Sequence, residues 1–200
     1  MVFVDKYAYL KDEALLNKEI EQHKLRQSIS EIKPVEKGEI DLYFNRAANE
    51  LKLAKTALKI SDDDSLKLSL ELVPDDTFYS GVIGHSYYSM FYGTKAILLT
   101  LNIKTNPPNI HKATLDAFAH YLVINKKLDF QLLQIYKKSI VQADSLLGLF
   151  IEEKDKRSEF TYKTLPQANK EPAQESIDNA NKFLTHIKKV IESNRKSLKR

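Results

Sequence analysis

An all-α, up-and-down bundle of five to six helices is the fold this chain predicts, and three observations predict it. Of its 200 residues, 42% are apolar, enough to fill one substantial core. Only five glycines and six prolines accompany 29% charged residues, too few turn signals for a sandwich or barrel. Apolar residues recur every three to four positions over several long stretches joined by short connectors, and antiparallel helices need only short turns. No strand is required.

Along the chain, residues 1–36 predict an N-terminal helical arm, 37–196 the bundle and 197–200 a basic tail. In the arm, Leu15, Leu16, Ile20, Leu25 and Ile29 sit at loose helical spacing among charges. Pro34 and Gly38 then break the pattern, so the arm packs either on the core or on another chain. From Glu39, a stripe of Ile40, Phe44, Ala47, Leu51, Ala54 and Leu58 predicts a strongly amphipathic helix that "SDDDS" ends. "SLKLSLEL" reads as either a short helical turn or an extended piece.

Asp75 or Asp76 is the expected N-cap of the next helix, "TFYSGVIGHSYYSMFYGTKAILLTLNI". This segment is apolar nearly all round and should be central. Gly81, Gly84 and Gly93 within it each cost about 1 kcal/mol relative to Ala, which points to close approach by a neighbouring helix or subunit. A further helix opens after Pro107 and Pro108, where a missing N–H is harmless. Two more cover about 128–155 and the stretch that begins "PAQESIDNANKFL".

Composition also excludes. Without cysteine there is neither a disulfide framework nor a thiolate metal site. No stretch approaches the ~18 apolar residues that cross a bilayer, and the N-terminus lacks a basic region followed by an apolar run, so a cytoplasmic protein with no membrane partner is expected. The net charge of +4 is concentrated at the C-terminal end, where residues 182–200 carry seven Lys or Arg against the single Glu192. Such an end is either a solvated helix terminus or a follower of RNA backbones.

Phosphate-binding glycine loops, the dinucleotide fingerprint, H-E-x-x-H and G-x-S-x-G are all missing, and no cofactor or metal is expected. His111 and His120 are nine residues apart, which places them on opposite sides of one helix. His23 and His186 stand in polar surroundings and read as surface residues. His85, in "GHSYYSMFY" with Tyr88 one turn on, is either a satisfied core imidazole or a groove-lining acid, base or nucleotide contact.

The blocks "RAANELKLAKTAL", "FYSGVIGHSYYSMFYGTKAILL", "HKATLDAF", "EKDKRSEFTY" and "EPAQESIDNANKFLTHI" resemble HEPN-domain proteins of bacteria and archaea over about residues 39–193. The resemblance implies a helical bundle that forms a homodimer with a charged cleft, paired with a nucleotidyltransferase in toxin-antitoxin systems, and acting as a metal-independent ribonuclease or as an RNA- or nucleotide-binding companion. Active members carry an arginine followed after four to six residues by a histidine. Arg157 matches the arginine, but Tyr162 stands at the shortest-spaced histidine position.

A phenol with a reference pKa of about 10 is a poor base at neutral pH, whereas a guanidinium still grips a phosphate through two hydrogen bonds. On the resemblance, Arg157 and Tyr162 are the candidate catalytic pair, and Lys154, Lys156, His85 and Tyr88 the candidate substrate contacts. The plain alternative pairs Arg157 with Glu153 and makes Phe160 and Tyr162 hydrophobic plugs. Three functions follow: binding of RNA or nucleotide phosphate, metal-independent RNA cleavage aided by His85 or His111, and a non-catalytic structural dimer.

Overall fold

The computed structural model describes residues 6–155 and 169–197, with the backbone alone described over 145–155 and 195–197. After a 3-10 turn at Ala8–Lys11 come α1 (Glu13–Leu25), β1 (Ile29–Glu31), α2 (Lys37–Asp62), α3 (Asp64–Ser69) and α4 (Tyr79–Leu99). Then follow β2 (Ile103–Thr105), α5 (Ile110–Phe118) running into a π turn at Ala119–Ile124, α6 (Phe130–Asp155) and α7 (Lys170–Ser197). The chain is a mostly helical bundle, as its apolar periodicity predicts.

Helix α4 is the axis of the packing, touching α2, α5, α6 and α7. Its buried side chains run from Val82 to Leu99 with few interruptions, which is why no polar stripe is visible in its sequence. Cross-links between helices give their directions. Phe78 N donates to Ser61 Oγ at 2.8 Å while Ser89 Oγ donates to the Ala47 carbonyl at 2.9 Å, so α2 and α4 are antiparallel. Lys182 meets Gln131 and Lys138 meets Glu175, so α6 and α7 are antiparallel as well.

Several local expectations change. β1 and β2 pair antiparallel with Ile29 opposite Thr105 and Glu31 opposite Ile103, so a two-stranded sheet exists where none was required. Ile29 and Ile103 drop into the core from it, and that burial is what the short ladder adds to its few hydrogen bonds. "SLKLS" is helical in α3, capped by Asp63, whose side chain accepts from Leu66 N at 3.0 Å. Neither Asp75 nor Asp76 caps α4. Phe78 holds that position, and Asp76 accepts from Val73 N in the preceding turn instead.

Within the chain, the close approach expected of the glycines is present at Gly93. A Cβ at Gly93 would lie 2.6 Å from Leu184 Cδ2, so α7 presses against α4 there. Nothing lies within 4 Å of a Cβ at Gly81 or Gly84, so among the described residues no neighbouring helix explains them. The segment before α2 packs on the bundle itself: Leu10, Leu16, Ile20 and Ile29 are buried in the same core as α4 to α7.

Candidate functional site

Of the six candidate residues, Arg157, Tyr162 and Lys156 lie outside the described residues, as does Phe160. Lys154 falls in the last turn of α6, where the side chains are outside the description. His85 and Tyr88 are described, both partly exposed on α4, His85 in contact with α2 and Tyr88 with α5.

His85 Nδ1 lies 2.8 Å from Glu50 Oε2 on α2. A carboxylate accepts only, so Nδ1 carries the proton and Nε2 is left as the acceptor. The imidazole is 40% exposed, whereas Glu50 is only 15% exposed, giving a half-open base with a shielded orienting carboxylate. Its partner is a carboxylate, neither the carbonyl nor the hydroxyl expected of a core placement.

One turn on, Tyr88 is 40% exposed and its ring stacks on Tyr92 at 6.3 Å. The Arg46 guanidinium lies over the other participant in that stack, 4.4 Å from the Tyr92 ring centre, and remains open to solvent. On the far side, His111 at the start of α5 meets Tyr88 edge-on at 6.2 Å. Tyr87 and His111 are hydrogen-bonded, OH to Nδ1, at 2.5 Å. Burial pushes the Tyr87 phenol well above its ordinary pKa and holds the His111 imidazole below its own. Both groups are therefore neutral near pH 7, and the imidazole tautomer sets which of them donates. Around the Tyr88–Tyr92 stack stand the Arg46 cation and the imidazoles of His85 and His111.

Further along α2 and α4, Lys95 is nearly buried, its ammonium donating to the Thr105 carbonyl at 3.1 Å and lying 5.1 Å from the Tyr43 ring centre. Burial lowers its pKa. The ammonium is thereby committed to holding β2 against α4.

His23 corrects the expectation of a surface residue: it is 4% exposed. Its Nε2 lies 2.9 Å from Asp116 Oδ2 and its Nδ1 2.9 Å from Ser28 Oγ. A serine, a histidine and an aspartate in a row evoke acyl transfer, but all three are buried, so no substrate carbonyl reaches the hydroxyl. Asp116 also accepts from Tyr9 OH at 2.6 Å and from Lys112 Nζ at 2.7 Å. Glu19, His23 and Asp116 present ligand atoms within 4.8 Å of one another, yet the Lys112 ammonium already bridges Glu19 and Asp116 as their cation. The cluster fastens α1 to α5.

Sequence reading missed Arg46 and Glu50. Their four-residue spacing marks an ordinary helix-surface pair, and only the crossing of α4 over α2 brings His85 and Tyr92 to them. No membrane-length apolar helix occurs among the described residues. No protein-family model matches the chain, and no curated protein or solved structure matches it either.

Proposed function

We propose that this protein binds RNA or a nucleotide phosphate on the α2/α4 face, in a HEPN-like homodimer that works with a nucleotidyltransferase. The single observation that carries the reading is the surround of Tyr88: a partly exposed ring for a base to stack on, with Arg46 over the adjoining Tyr92 ring and the imidazoles of His85 and His111 close by. The resemblance adds Arg157 as a second phosphate contact, with Lys154, Lys156 and Tyr162 beside it. Fluorescence anisotropy with a labelled single-stranded RNA tests the reading: binding should weaken with salt and fall in both Arg46→Ala and Arg157→Ala. Affinity unchanged in Arg46→Ala removes the face, and affinity unchanged in Arg157→Ala removes the motif.

A second reading, metal-independent RNA cleavage, is favoured by the His85–Glu50 pair, because a carboxylate on Nδ1 leaves Nε2 free to take a proton from a 2′-hydroxyl. Cleavage that persists in EDTA, leaves 2′,3′-cyclic phosphate ends and disappears in His85→Ala is the expected result. RNA that is bound and left intact keeps the first reading and discards this one.

A further inference from the structure

At the opposite end of α5, a depression of about 680 Å³ opens between the 3-10 turn, the 125–129 loop and the start of α6. A second one of about 220 Å³ continues from it along α6, and the two share Leu10, Lys11 and Phe130. The apolar lining is mostly aliphatic: Ile124 and Leu128 lie partly exposed over the buried Leu10, Val123 and Leu133, with the rings of Phe130 and Tyr7 beside them. The rim is cationic: Lys11, Lys126, Lys127 and Lys137 border it, together with Lys138, which is paired to Glu175. The one carboxylate in the lining, Asp129, is engaged in capping α6, where it accepts from Gln131 N at 2.6 Å.

The loop that carries the rim is held in one shape. Lys127 N and Leu128 N both donate to the Leu122 carbonyl, at 2.8 and 2.9 Å, and Lys126 N donates to that of Val123. Lys126 has φ of 56°, a left-handed conformation that suits glycine better than lysine. Neither the Lys126 nor the Lys127 ammonium has an anionic partner among the described residues.

We propose that this groove binds an acidic peptide segment of a partner protein, with an aliphatic or aromatic side chain seated against Leu128 and Phe130 and carboxylates against the lysine rim. Charge complementarity sets the sign of the partner. The floor sets its class: aliphatic side chains take up apolar anchors in the way protein interfaces do, whereas a nucleic acid asks for flat rings, and Phe130 is the one exposed aromatic here. The groove is separate from the α2/α4 face, so the proposal stands apart from the function assigned there.

The test is a panning of random peptides displayed on phage against the full chain, with Lys126→Glu/Lys127→Glu as counter-selection. Enriched peptides should combine Asp or Glu with Leu, Ile or Phe, and a synthetic consensus should bind the double variant about tenfold more weakly, mostly through a slower on-rate. Lys126→Gly keeps the test independent of folding, because it removes a cation while relieving the left-handed strain: unfolding at the wild-type temperature or above with weaker peptide binding is the expected pair. The proposal is overturned by an absence of enrichment, by a consensus without acidic residues, by equal affinity for the charge-reversed variant, or by a single-stranded RNA oligomer that displaces the peptide from the groove.

Discussion

Asp116 Oδ2 and His23 Nε2 lie 2.9 Å apart with neither side chain open to solvent, and that contact joins α5 to α1. Truncating the carboxylate strands the buried His23 ring and removes an acceptor from the half-buried Tyr9 hydroxyl and from Lys112. Asp116→Ala should therefore cost about 3–5 kcal/mol, the range for breaking one side of a buried pair. Urea unfolding followed by circular dichroism measures it, and a loss below about 1 kcal/mol would show that the network is not what holds α1 down.

The glycines of α4 should separate. Gly81→Ala meets empty space and should stabilise by up to about 1 kcal/mol, the helix-propensity gain. Gly93→Ala sets a methyl 2.6 Å from Leu184 Cδ2, and repacking a filled core costs about 1–3 kcal/mol, enough to cancel or reverse the gain. Thermal unfolding of the two variants side by side decides; equal stabilisation would mean that Leu184 yields freely.

Stability should fall on acidification below neutrality. Burial holds His111 and His120 below the ordinary imidazole value, the first also sensing Asp144 and Lys95 and the second Lys24, Glu13 and Glu21. In the unfolded chain both take up a proton near pH 6.5, and in the folded chain only at lower pH. Between those limits the unfolded state binds more protons, so stability rises with pH: the contribution is complete above about pH 6.5 and is lost as pH falls through the folded values. Urea midpoints at about pH 5.5 and 7.5 should differ, and less so in His111→Gln. An undiminished difference in that variant would remove His111 from the account.

Stacking at Tyr88 makes a distinction that charge does not. If a base lies on the ring, Tyr88→Phe should keep most of the RNA affinity while Tyr88→Ala loses about 1–3 kcal/mol per stacked base. The slope of affinity against salt should stay the same in Tyr88→Ala and become shallower in Arg46→Ala. Equal losses in the phenylalanine and alanine variants would point to the hydroxyl and away from the ring face.

Lys95 offers a control for site assignment. Its buried ammonium donates to the Thr105 carbonyl, so Lys95→Met should change folding stability and leave RNA affinity per folded molecule unaltered. A selective loss of RNA binding in a stably folded Lys95→Met protein would extend the binding face to that side chain.

What this sequence determined by itself was the helical architecture. The stripe of Ile40, Ala47, Leu51, Ala54 and Leu58 and the apolar run of α4 are local patterns, and local periodicity suffices to define a helix and its inward face. It also pointed to His85 and Tyr88 as a candidate surface, because their one-turn spacing is fixed by the helix itself. Tertiary structure alone decided the rest. The β1–β2 pair joins segments distant in the chain through three residues each, too short for any alternation to register. His23 has polar neighbours in sequence, yet in the fold Asp116 arrives from α5 and supplies a hydrogen-bonding carboxylate to its buried ring. Arg46, Glu50 and His111 gather around Tyr88 because helices cross there, and a crossing places side chains together by packing geometry that no single stretch of sequence encodes.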